Sequence, residues 1–366
     1  MGFDKKRILL VGKLPPPYMG PAIATDILLN SSLKEDFELL HFNNTINTTI
    51  ETQGKWGLKK IFRIIRLNFR FYLMLKQKHP DLILYPISQS SMGFLKDAPF
   101  LWLSWKSRAF LVVQLRGSNL QNWLQGAGRL INFLFAEVMK HAAGAIVLGE
   151  KLRYLFEPYL PLDRIYSIPN GGNYTFPNLP KEEGVINILY FANLYESKGV
   201  GDVVDACAFI NEDITCKLRL VGGWRGMDGF RKKLEEKVKS ATVKIEIHPP
   251  VSGEPKWTFF AQADIFVFPP REPEGHPWVI VEALAAGLPI ITTDQGAITE
   301  SVMDGWNGFV VPSRSPRSIA EKINQLSYDI ELQKKMGSRS RVKYETFFTE
   351  EKMAQKYKSV FNQIIS

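Results

Sequence analysis

One short segment in the second half of the chain places two carboxylates at the start of a predicted helix. Glu274 precedes the expected helix, and Glu282 lies about a turn and a half inside it. Pro277 suits the first helical position, and Gly287 followed by Pro289 suits the helix end. The free N–H groups at such a helix start suit a phosphate or a sugar hydroxyl. One carboxylate would then accept hydrogen bonds from two ribose hydroxyls while the other contacts a sugar, unless this is an ordinary capped helix with two solvated acids.

The elements that would position this segment alternate between short apolar runs and longer helical patterns. In the first half the runs are at 7–11, 37–42, 82–85, 110–115 and 145–148. In the second half they are at 186–191, 217–221, 243–247, 263–268 and 289–292. Strands that alternate with helices indicate parallel βαβ units, whose ligands bind at the carboxyl ends of the strands. We therefore expect an α/β protein with two doubly wound Rossmann-like domains that face a central cleft.

The domain boundary is expected where turn residues cluster, at 165–172. We predict one domain over 1–168, a second over 169–345, and a closing C-terminal helix over 346–366 that can pack back on the first domain. The length of 366 residues agrees with two domains, at roughly 150 residues each.

The composition excludes several classes of protein. With 45% hydrophobic and 23% charged residues, the chain is not disordered, collagen-like or a coiled coil. No apolar stretch approaches the ~20 residues of a membrane-spanning helix, and the run Ile8–Val11 is shorter than the ~7 residues that a signal peptide needs. The cysteines, Cys207 and Cys216, have no metal-ligand spacing, so we expect reduced packing residues in a cytosolic protein.

The net charge of +9 is unevenly distributed along the chain. Residues 1–170 contain 22 Lys+Arg and 12 Asp+Glu, whereas residues 171–366 contain 24 and 25. This excess favours an anionic partner for the first half, either a nucleic acid or an anionic membrane surface. Within it, Trp56–Lys76 is typical of a basic amphipathic helix, although a Rossmann helix with a solvated basic face is the alternative. Its basic residues include Lys59, Lys60, Arg63, Arg66 and Arg70.

The double-Glu segment also resembles a family signature. Its pattern is Glu-Gly-x-Pro-(four residues)-Glu-Ala-x-Ala-x-Gly-x-Pro, with Glu274 and Glu282 as the acids. This resembles the retaining, nucleotide-sugar-dependent glycosyltransferases of the GT-B fold, in the group 1 family (glycosyltransferase family four) that includes glycogen-synthase-like, capsule and lipopolysaccharide enzymes. Further similar landmarks are a glycine loop at 15–22, a domain-opening turn at 168–171, a phosphate-contact loop at 191–199, and the stretches 263–270 and 304–308.

The resemblance implies a role for individual residues. Glu282 would bind the ribose, Glu274 would contact the transferred sugar, and Lys198 would neutralise the departing diphosphate. Further donor contacts would come from Gly20, Gly275, His276, Pro277, Trp278 and Val279, with Pro250 and Val251 bordering the base. Because negative charge develops on the diphosphate, fixed cations and helix-end dipoles would lower the barrier. Retention would follow a front-face route that needs no protein nucleophile.

Two positions depart from the family pattern. Asn193 stands where the family usually has an arginine, and Arg116-Gly stands in place of a His-Gly pair. Asn193 removes a positive charge near the leaving group, for which Arg116, Arg271 and Arg225 are candidate replacements. The catalytic candidates are therefore Glu274, Lys198, Asn193 and Arg116.

Together these features predict a retaining hexosyltransferase that uses a nucleoside-diphosphate sugar, with a UDP-sugar favoured, in surface polysaccharide biosynthesis. The chain contains no Asp-x-Asp, so neither a metal nor a cofactor is expected. The expected acceptor is a saccharide, free or linked to polyprenyl diphosphate, and the expected location is cytoplasmic, peripheral on the inner face of the membrane, with no nucleic acid bound. The alternative is a non-catalytic nucleotide-sugar-binding partner of a glycosyltransferase complex, which the departures at Asn193 and Arg116 favour.

Overall fold

The computed structural model describes most of the chain. The described residues are 5–16, 19–45, 58–224 and 228–366, apart from the side chains of 58–61 and 228. The chain forms two compact units: unit 1 comprises Met1–Pro169 with Glu350–Ser366, and unit 2 comprises Asn170–Thr349. The division after Pro169 lies one residue beyond the boundary expected from the sequence, and the closing helix belongs to unit 1.

Unit 1 is an α/β unit built on one parallel sheet. Its strands are β1 (Arg7–Val11), β2 (Glu38–Phe42), β3 (Leu82–Pro86), β4 (Phe110–Gln114), β5 (Gly144–Val147) and β6 (Ile165–Ser167). Its helices are α1 (Gly20–Asn30), α2 (Leu33–Asp36), α3 (Leu58–Lys78), α4 (Ser91–Lys106), α5 (Leu120–Gly126), α6 (Gly128–His141) and the last helix of the chain, α14 (Glu350–Ile365). The strand order is β2-β1-β3-β4-β5-β6, and Leu9 lies opposite Leu40 and Ile83 in the register.

Unit 2 repeats this architecture. Its strands are β7 (Ile186–Phe191), β8 (Cys216–Val221), β9 (Lys244–His248), β10 (Ile265–Phe268), β11 (Ile290–Thr292) and β12 (Gly308–Val310). Its helices are α7 (Val200–Ala206), α8 (Asp228–Ser240), α9 (Glu254–Ala261), α10 (Trp278–Ala285), α11 (Ile298–Ser301), α12 (Pro316–Tyr328) and α13 (Ile330–Phe347). The parallel order is β12-β11-β10-β7-β8-β9. The central strand β10 is buried throughout, as expected where helices cover both faces of a parallel sheet.

The chain connects β10 to β11 through α10, which begins and ends close to the predicted positions. Pro277 is the N-cap, so the helix starts one residue later than its sequence suggested. Gly287 follows the C-cap with a φ of 69°, a left-handed conformation that favours glycine. Because six consecutive residues, Ile280–Ala285, are buried, this helix is fixed firmly between the sheet and its neighbours.

The last helix, α14, is anchored in unit 1 by apolar packing and by a buried polar contact. Met353, Tyr357 and Phe361 are buried in the core cluster that contains residues of β1, β3 and β4. The hydroxyl of Tyr357 accepts hydrogen bonds from Gln114 Nε2 and from the Arg116 guanidinium. Burial lowers the pKa of Arg116 from its usual value, and Tyr357 partly offsets this effect.

No helix in the described ranges of the chain has both the length and the apolar character needed to cross a membrane.

The polar contact of α14 predicts a measurable loss of stability. Tyr357→Phe keeps the buried ring but removes the hydroxyl that Gln114 and Arg116 contact. Because leaving a buried polar group unsatisfied costs about 1–3 kcal/mol, we expect the free energy of unfolding in urea to fall by that amount. Tyr154→Phe, at an exposed tyrosine of the same unit, is the control and should change it by less than about 0.5 kcal/mol. Equal results for the two variants would contradict this account.

Candidate active site

The carboxyl ends of three neighbouring strands in unit 2 bring distant loops side by side. After β7, Leu194 N–H donates to the Gly223 carbonyl at 3.0 Å, so the loops after β7 and β8 run together. A Cβ built on Gly223 would lie 3.6 Å from both Asn193 Oδ1 and Pro250 Cγ. Asn193, from the predicted phosphate loop, therefore lies near Pro250, which was predicted to border the base, and both are exposed.

Lys198 and Glu274 are in direct contact. A short 3₁₀ turn, Glu196–Lys198, leads into Gly199, whose φ is 74°. A Cβ on Gly199 would lie 1.9 Å from the Pro269 carbonyl oxygen, so the close approach of these two loops requires glycine. From this turn Lys198 Nζ donates a hydrogen bond to Glu274 Oε1, and both side chains are partly exposed.

Tyr190 supports the loop that carries Lys198. Its buried hydroxyl lies 3.2 Å from the Asn193 carbonyl and 3.3 Å from the Lys198 carbonyl. Burial, and then the charge of Glu274, raise the pKa of Tyr190 well above its usual value. The hydroxyl therefore stays protonated and remains a hydrogen-bond donor to the loop.

Arg271, one of the three candidate replacement cations, is engaged within the protein. Its guanidinium donates two hydrogen bonds of 2.7 Å to the buried carboxylate of Asp202 and one of 2.8 Å to Glu196. Its backbone N–H also donates to the Ser197 carbonyl at 2.9 Å. The hydrogen bonds to Asp202 raise the pKa of Arg271. Arg271 therefore holds the turn that carries Lys198 in place.

The start of α10 is open and rigidly held. Its N-cap, Pro277, has no side chain that could accept from the first-turn N–H groups of Trp278 and Val279. The preceding Gly275 carbonyl accepts from Ala297 N–H at 3.0 Å. Gly296, with a φ of 60°, lies so close that a Cβ there would approach the Glu274 carbonyl oxygen to 1.6 Å. The first-turn N–H groups of α10 therefore have no side-chain cap and follow Glu274 within a few residues of a firmly held loop.

His276 is buried rather than presented at the helix start. Its Nδ1 accepts from Asn170 N–H at 3.1 Å, and its Nε2 lies 2.7 Å from Ser301 Oγ. Its carbonyl accepts from Asn170 Nδ2 at 2.6 Å. The imidazole thus ties the loop to the start of unit 2 and to α11, so a donor contact from His276 would have to come from its backbone.

The second acid of the pattern, Glu282, is buried and paired with a lysine that the sequence analysis did not identify. Lys256 Nζ, from α9, lies 2.5 Å from Glu282 Oε1. The other oxygen, Oε2, is also buried and has no hydrogen-bond partner among the described residues. Such an atom can accept a hydrogen bond from a ligand hydroxyl, which a buried polar group needs.

Of the other predicted residues, Val251 follows Pro250 in the loop after β9, and the rest lie in unit 1 or outside the described ranges. Gly20 is the first residue of α1, at the carboxyl end of β1. Arg116 follows β4 and contacts Tyr357. Arg225 lies outside the described residues. Within the described residues, no group of three or more His, Cys, Asp or Glu side chains is placed to hold a metal ion.

Three residues of unit 2 were not foreseen as parts of the site: Lys256, Asp202 and Tyr190. Lys256 and Asp202 contact residues distant in the sequence. Tyr190 contacts the loop that follows its own strand. None of the three belongs to the motif that identified the two acids. Lys256 is the most informative of the three, because α9 is otherwise apolar around it, with Trp257, Phe259 and Phe260 following. A lysine inside such a stretch is a signal that could have been recognised.

Comparisons with known proteins agree with the geometry of unit 2. Residues 175–343 match the family described as "Glycosyl transferases group 1". The chain is similar to the uncharacterized glycosyltransferase MJ1178 of Methanocaldococcus jannaschii, with 30% identity over 208 residues that cover 55% of this chain and 54% of that protein. It is also similar to the capsular polysaccharide biosynthesis glycosyltransferase CapM of Staphylococcus aureus, with 25% identity over 183 residues, or 49% and 46% of the two chains. The chain spans about half the length of these curated relatives.

Solved structures establish the fold over the whole chain. Sucrose-phosphate synthase from Thermosynechococcus elongatus superimposes with a TM-score of 0.78 at 17% identity, covering 98% of this chain and 99% of that one. Anabaena Alr3699/HepE in complex with UDP and glucose gives a TM-score of 0.71 at 16% identity, covering 98% and 100%. The fold is GT-B, with two Rossmann-like α/β domains, and residues 175–343 of unit 2 match the group 1 glycosyltransferases. The predicted fold is confirmed, and the match over residues 175–343 agrees with the predicted family.

The Arg271–Asp202 contact predicts that Asp202 is important for stability. Asp202→Ala would leave the guanidinium of Arg271, whose side chain is only 15% exposed, without its bidentate partner. Removing one partner of a buried ion pair is strongly destabilising, so we expect a loss of ~3 kcal/mol in chemical unfolding. Asp205→Ala, which removes an exposed partner of Lys237 from the same helix, is the matched control and should cost less than about 1 kcal/mol. A loss at Asp202 no larger than at Asp205 would refute this account.

Proposed function

We propose that the protein is a retaining glycosyltransferase that moves a hexose from a nucleoside-diphosphate sugar, with a UDP-sugar favoured, to a saccharide acceptor in polysaccharide biosynthesis. The observation that carries this proposal is the arrangement of charged side chains at the carboxyl ends of the strands of unit 2. There Glu274 and Glu282 flank the open start of α10, and each is neutralised by one lysine. The group 1 domain at residues 175–343 supports sugar transfer.

The nucleoside of the donor binds at Glu282. Its Oε2 atom is buried without a hydrogen-bond partner among the described residues, and a ribose hydroxyl would satisfy it. Pro250 and Val251, in the loop after β9, border the base. A uridine nucleotide is favoured because HepE, a structural neighbour of the whole chain, was solved with UDP and glucose.

The reaction is driven by stabilisation of the leaving diphosphate. As the bond between the sugar and the diphosphate breaks, negative charge grows on the phosphate oxygens and positive charge on the sugar ring. Lys198 and the N–H groups at Trp278 and Val279 stabilise the first charge, and the carboxylate of Glu274 holds the sugar. The acceptor hydroxyl attacks from the face that the diphosphate leaves and gives its proton to a departing phosphate oxygen, so the configuration is retained. The proposed reaction uses neither a metal nor a cofactor.

The loss of positive charge at Asn193 is not compensated by Arg271 in this proposal. Arg271 is held by Asp202 and Glu196, and it acts by fixing the turn that ends at Lys198. The leaving-group charge is therefore assigned to Lys198 and to the helix start. If this charge proved insufficient, the protein would bind a nucleotide sugar without transferring it, which is the second candidate function.

The acceptor is proposed to be linked to a lipid and reached at an anionic membrane surface. In unit 1, α4 packs against both α3 and α6, and the outer surfaces of these helices carry exposed large apolar side chains. These include Phe62, Ile65, Phe69, Tyr72, Trp102, Leu130 and Phe133. Because α3 has no acidic residue and exposes Arg63, Arg66 and Arg70 beside the aromatic rings, the surface suits anionic headgroups above acyl chains.

A groove at one end of this surface combines the same two kinds of side chain. Tyr72 and Lys76 of α3 line it together with Trp102 and Lys106 of α4. Aromatic rings and cations side by side are typical of the boundary between acyl chains and headgroups. The groove therefore supports a membrane rather than a nucleic acid as the anionic partner.

Two substitutions test the donor assignments. We expect Glu282→Ala to weaken binding of the nucleoside diphosphate by roughly ten- to a hundredfold, because a charge-assisted hydrogen bond of about 1.5–3 kcal/mol is lost. Glu274→Ala should lower kcat more than it weakens binding, because its contact is at the reacting sugar. Calorimetry with UDP, GDP and ADP, and release of nucleoside diphosphate from candidate donors, measure the two effects.

Glu272→Ala, at an exposed acid of the same loop, is the control for these substitutions and should behave as the parent. If Glu282→Ala bound nucleotide as tightly as the parent, the ribose assignment would be wrong. Nucleotide binding without any turnover of candidate donors, with or without saccharide acceptors, would favour the non-catalytic alternative.

The membrane proposal predicts binding to anionic vesicles that salt reverses. Each exposed cation near an anionic leaflet contributes about 1 kcal/mol, screened within a Debye length of about 10 Å. We expect Arg63, Arg66 and Arg70→Gln together to abolish sedimentation with phosphatidylserine vesicles, with nucleotide binding unchanged.

The matched control removes three exposed cations from α8 of unit 2, Lys232, Lys233 and Lys239→Gln. It lowers the net charge equally and should leave vesicle binding intact. Equal sedimentation with neutral and anionic vesicles, or equal losses for the two triple variants, would refute the assignment of this surface.

A further inference from the structure

We infer that Lys256 is a positioning residue for donor binding: it keeps the Glu282 carboxylate ionised and turns its Oε2 atom toward the ligand. This inference rests on the proposed function, in which Glu282 binds the nucleoside. Lys256 lies outside the double-Glu segment, on α9, and reaches α10 only through the fold.

The first argument is the cost of burying a charge. The Glu282 side chain is 4% exposed and that of Lys256 is 13% exposed. A carboxylate in such surroundings takes up a proton unless a cation or several hydrogen bonds stabilise its charge. Within the described residues, Lys256 is the one side chain that forms an ion pair or hydrogen bond with Glu282, through Oε1 at 2.5 Å.

The second argument is that the lysine is itself fixed in place. Its Nζ lies 4.9 Å from the ring centre of Phe191, 5.2 Å from that of Trp257 and 5.9 Å from that of Phe260. Aromatic faces attract a cation at these distances. Trp257 is held in turn by Phe176 and Tyr174, at ring separations of 5.7 Å and 5.2 Å. A cation confined in this way fixes Oε1, and therefore the direction of Oε2.

The ionisable groups on the neighbouring elements are engaged elsewhere. On α13, Arg341 pairs with Glu345 and donates to the Ala285 carbonyl, and Arg339 donates to the Trp306 carbonyl. The other ionisable side chains on these elements are Glu254 on α9, Glu300 on α11, Glu331, Lys334, Lys335, Lys343 and Tyr344 on α13, and Arg271, Glu272, Glu274 and His276 in the preceding loop. None of these has an ion pair or hydrogen bond with Glu282 among the described contacts. Lys256 is therefore the group whose loss changes the protonation of Glu282.

The expected pH dependence has a definite sign. Without the ammonium group, the buried carboxylate takes up a proton more readily, and a protonated acid accepts hydrogen bonds more weakly. Because binding then requires deprotonation of Glu282, affinity for a nucleoside diphosphate falls as the pH is lowered. In the parent, the ammonium group of Lys256 lies against Glu282 Oε1, so we expect a flatter dependence of affinity on pH.

The experiment measures the Kd of UDP by calorimetry between about pH 6 and pH 8.5, with GDP and ADP as further probes. We expect Lys256→Met to weaken binding at least tenfold at the low end of this range, with a smaller loss at the high end. Lys256→Arg, which keeps the cation, should restore most of the affinity and the profile of the parent. In a Glu282→Gln background, Lys256→Met should change the Kd less than threefold, because no carboxylate remains to be positioned.

Lys244→Met removes an exposed lysine of unit 2 and should match the parent. If Lys256→Met binds UDP with the affinity and the pH profile of the parent, the inference is wrong while the proposed function stands. A uniform loss at every pH, unchanged by Glu282→Gln, would also overturn it, since that is the mark of a merely destabilised unit. If the parent binds none of the three nucleotides, the proposed function fails and this inference fails with it.

Discussion

A buried or half-buried carboxylate needs a cation next to it. This requirement determines which side chains contact one another at the carboxyl ends of the strands of unit 2. Glu274 is paired with Lys198, Glu282 with Lys256, and Asp202 with Arg271. In all three pairs the cation and the acid come from different loops or helices. Since a charge left unpaired in such surroundings destabilises the fold by several kcal/mol, these pairs fix the loops relative to one another. These contacts therefore make the candidate site rigid.

The elements of the fold could be predicted from hydrophobic patterning where they are long and buried. The runs at 82–85 and 186–191 coincide with β3 and β7, and the expected basic helix overlaps α3. The strand β6, in contrast, lies inside the stretch that the sequence indicated only as a turn-rich boundary. It has three residues, Ile165–Ser167, and its pairing with β5 depends on that neighbour rather than on any periodicity of its own.

The sequence could relate residues within one motif to each other, but it could not pair residues of different motifs. The spacing of Glu274 and Glu282 specifies a helix start with an acid on either side, because helix geometry is local. Lys256 could not be paired with Glu282 in this way, since α9 and α10 are separated by the strand β10. For the same reason the sequence left Arg116, Arg225 and Arg271 equivalent as replacement cations, whereas the fold commits Arg271 to Asp202.

In the proposed function, the charge balance of these loops accounts for donor binding with Asn193 at the position where the family usually has an arginine. Among the pairs described above, no cation is in excess, so an incoming diphosphate has to displace an acid from one of them. Lys198 is the suitable one, because it and Glu274 are the most exposed of these partners, at 28% and 16%. In the proposed function, the diphosphate and the sugar of one donor become the new partners of Lys198 and Glu274. The diphosphate takes Lys198, and a sugar hydroxyl donates to the carboxylate of Glu274. Neither charge is then left unpaired, and a nucleotide without its sugar would satisfy only one of them.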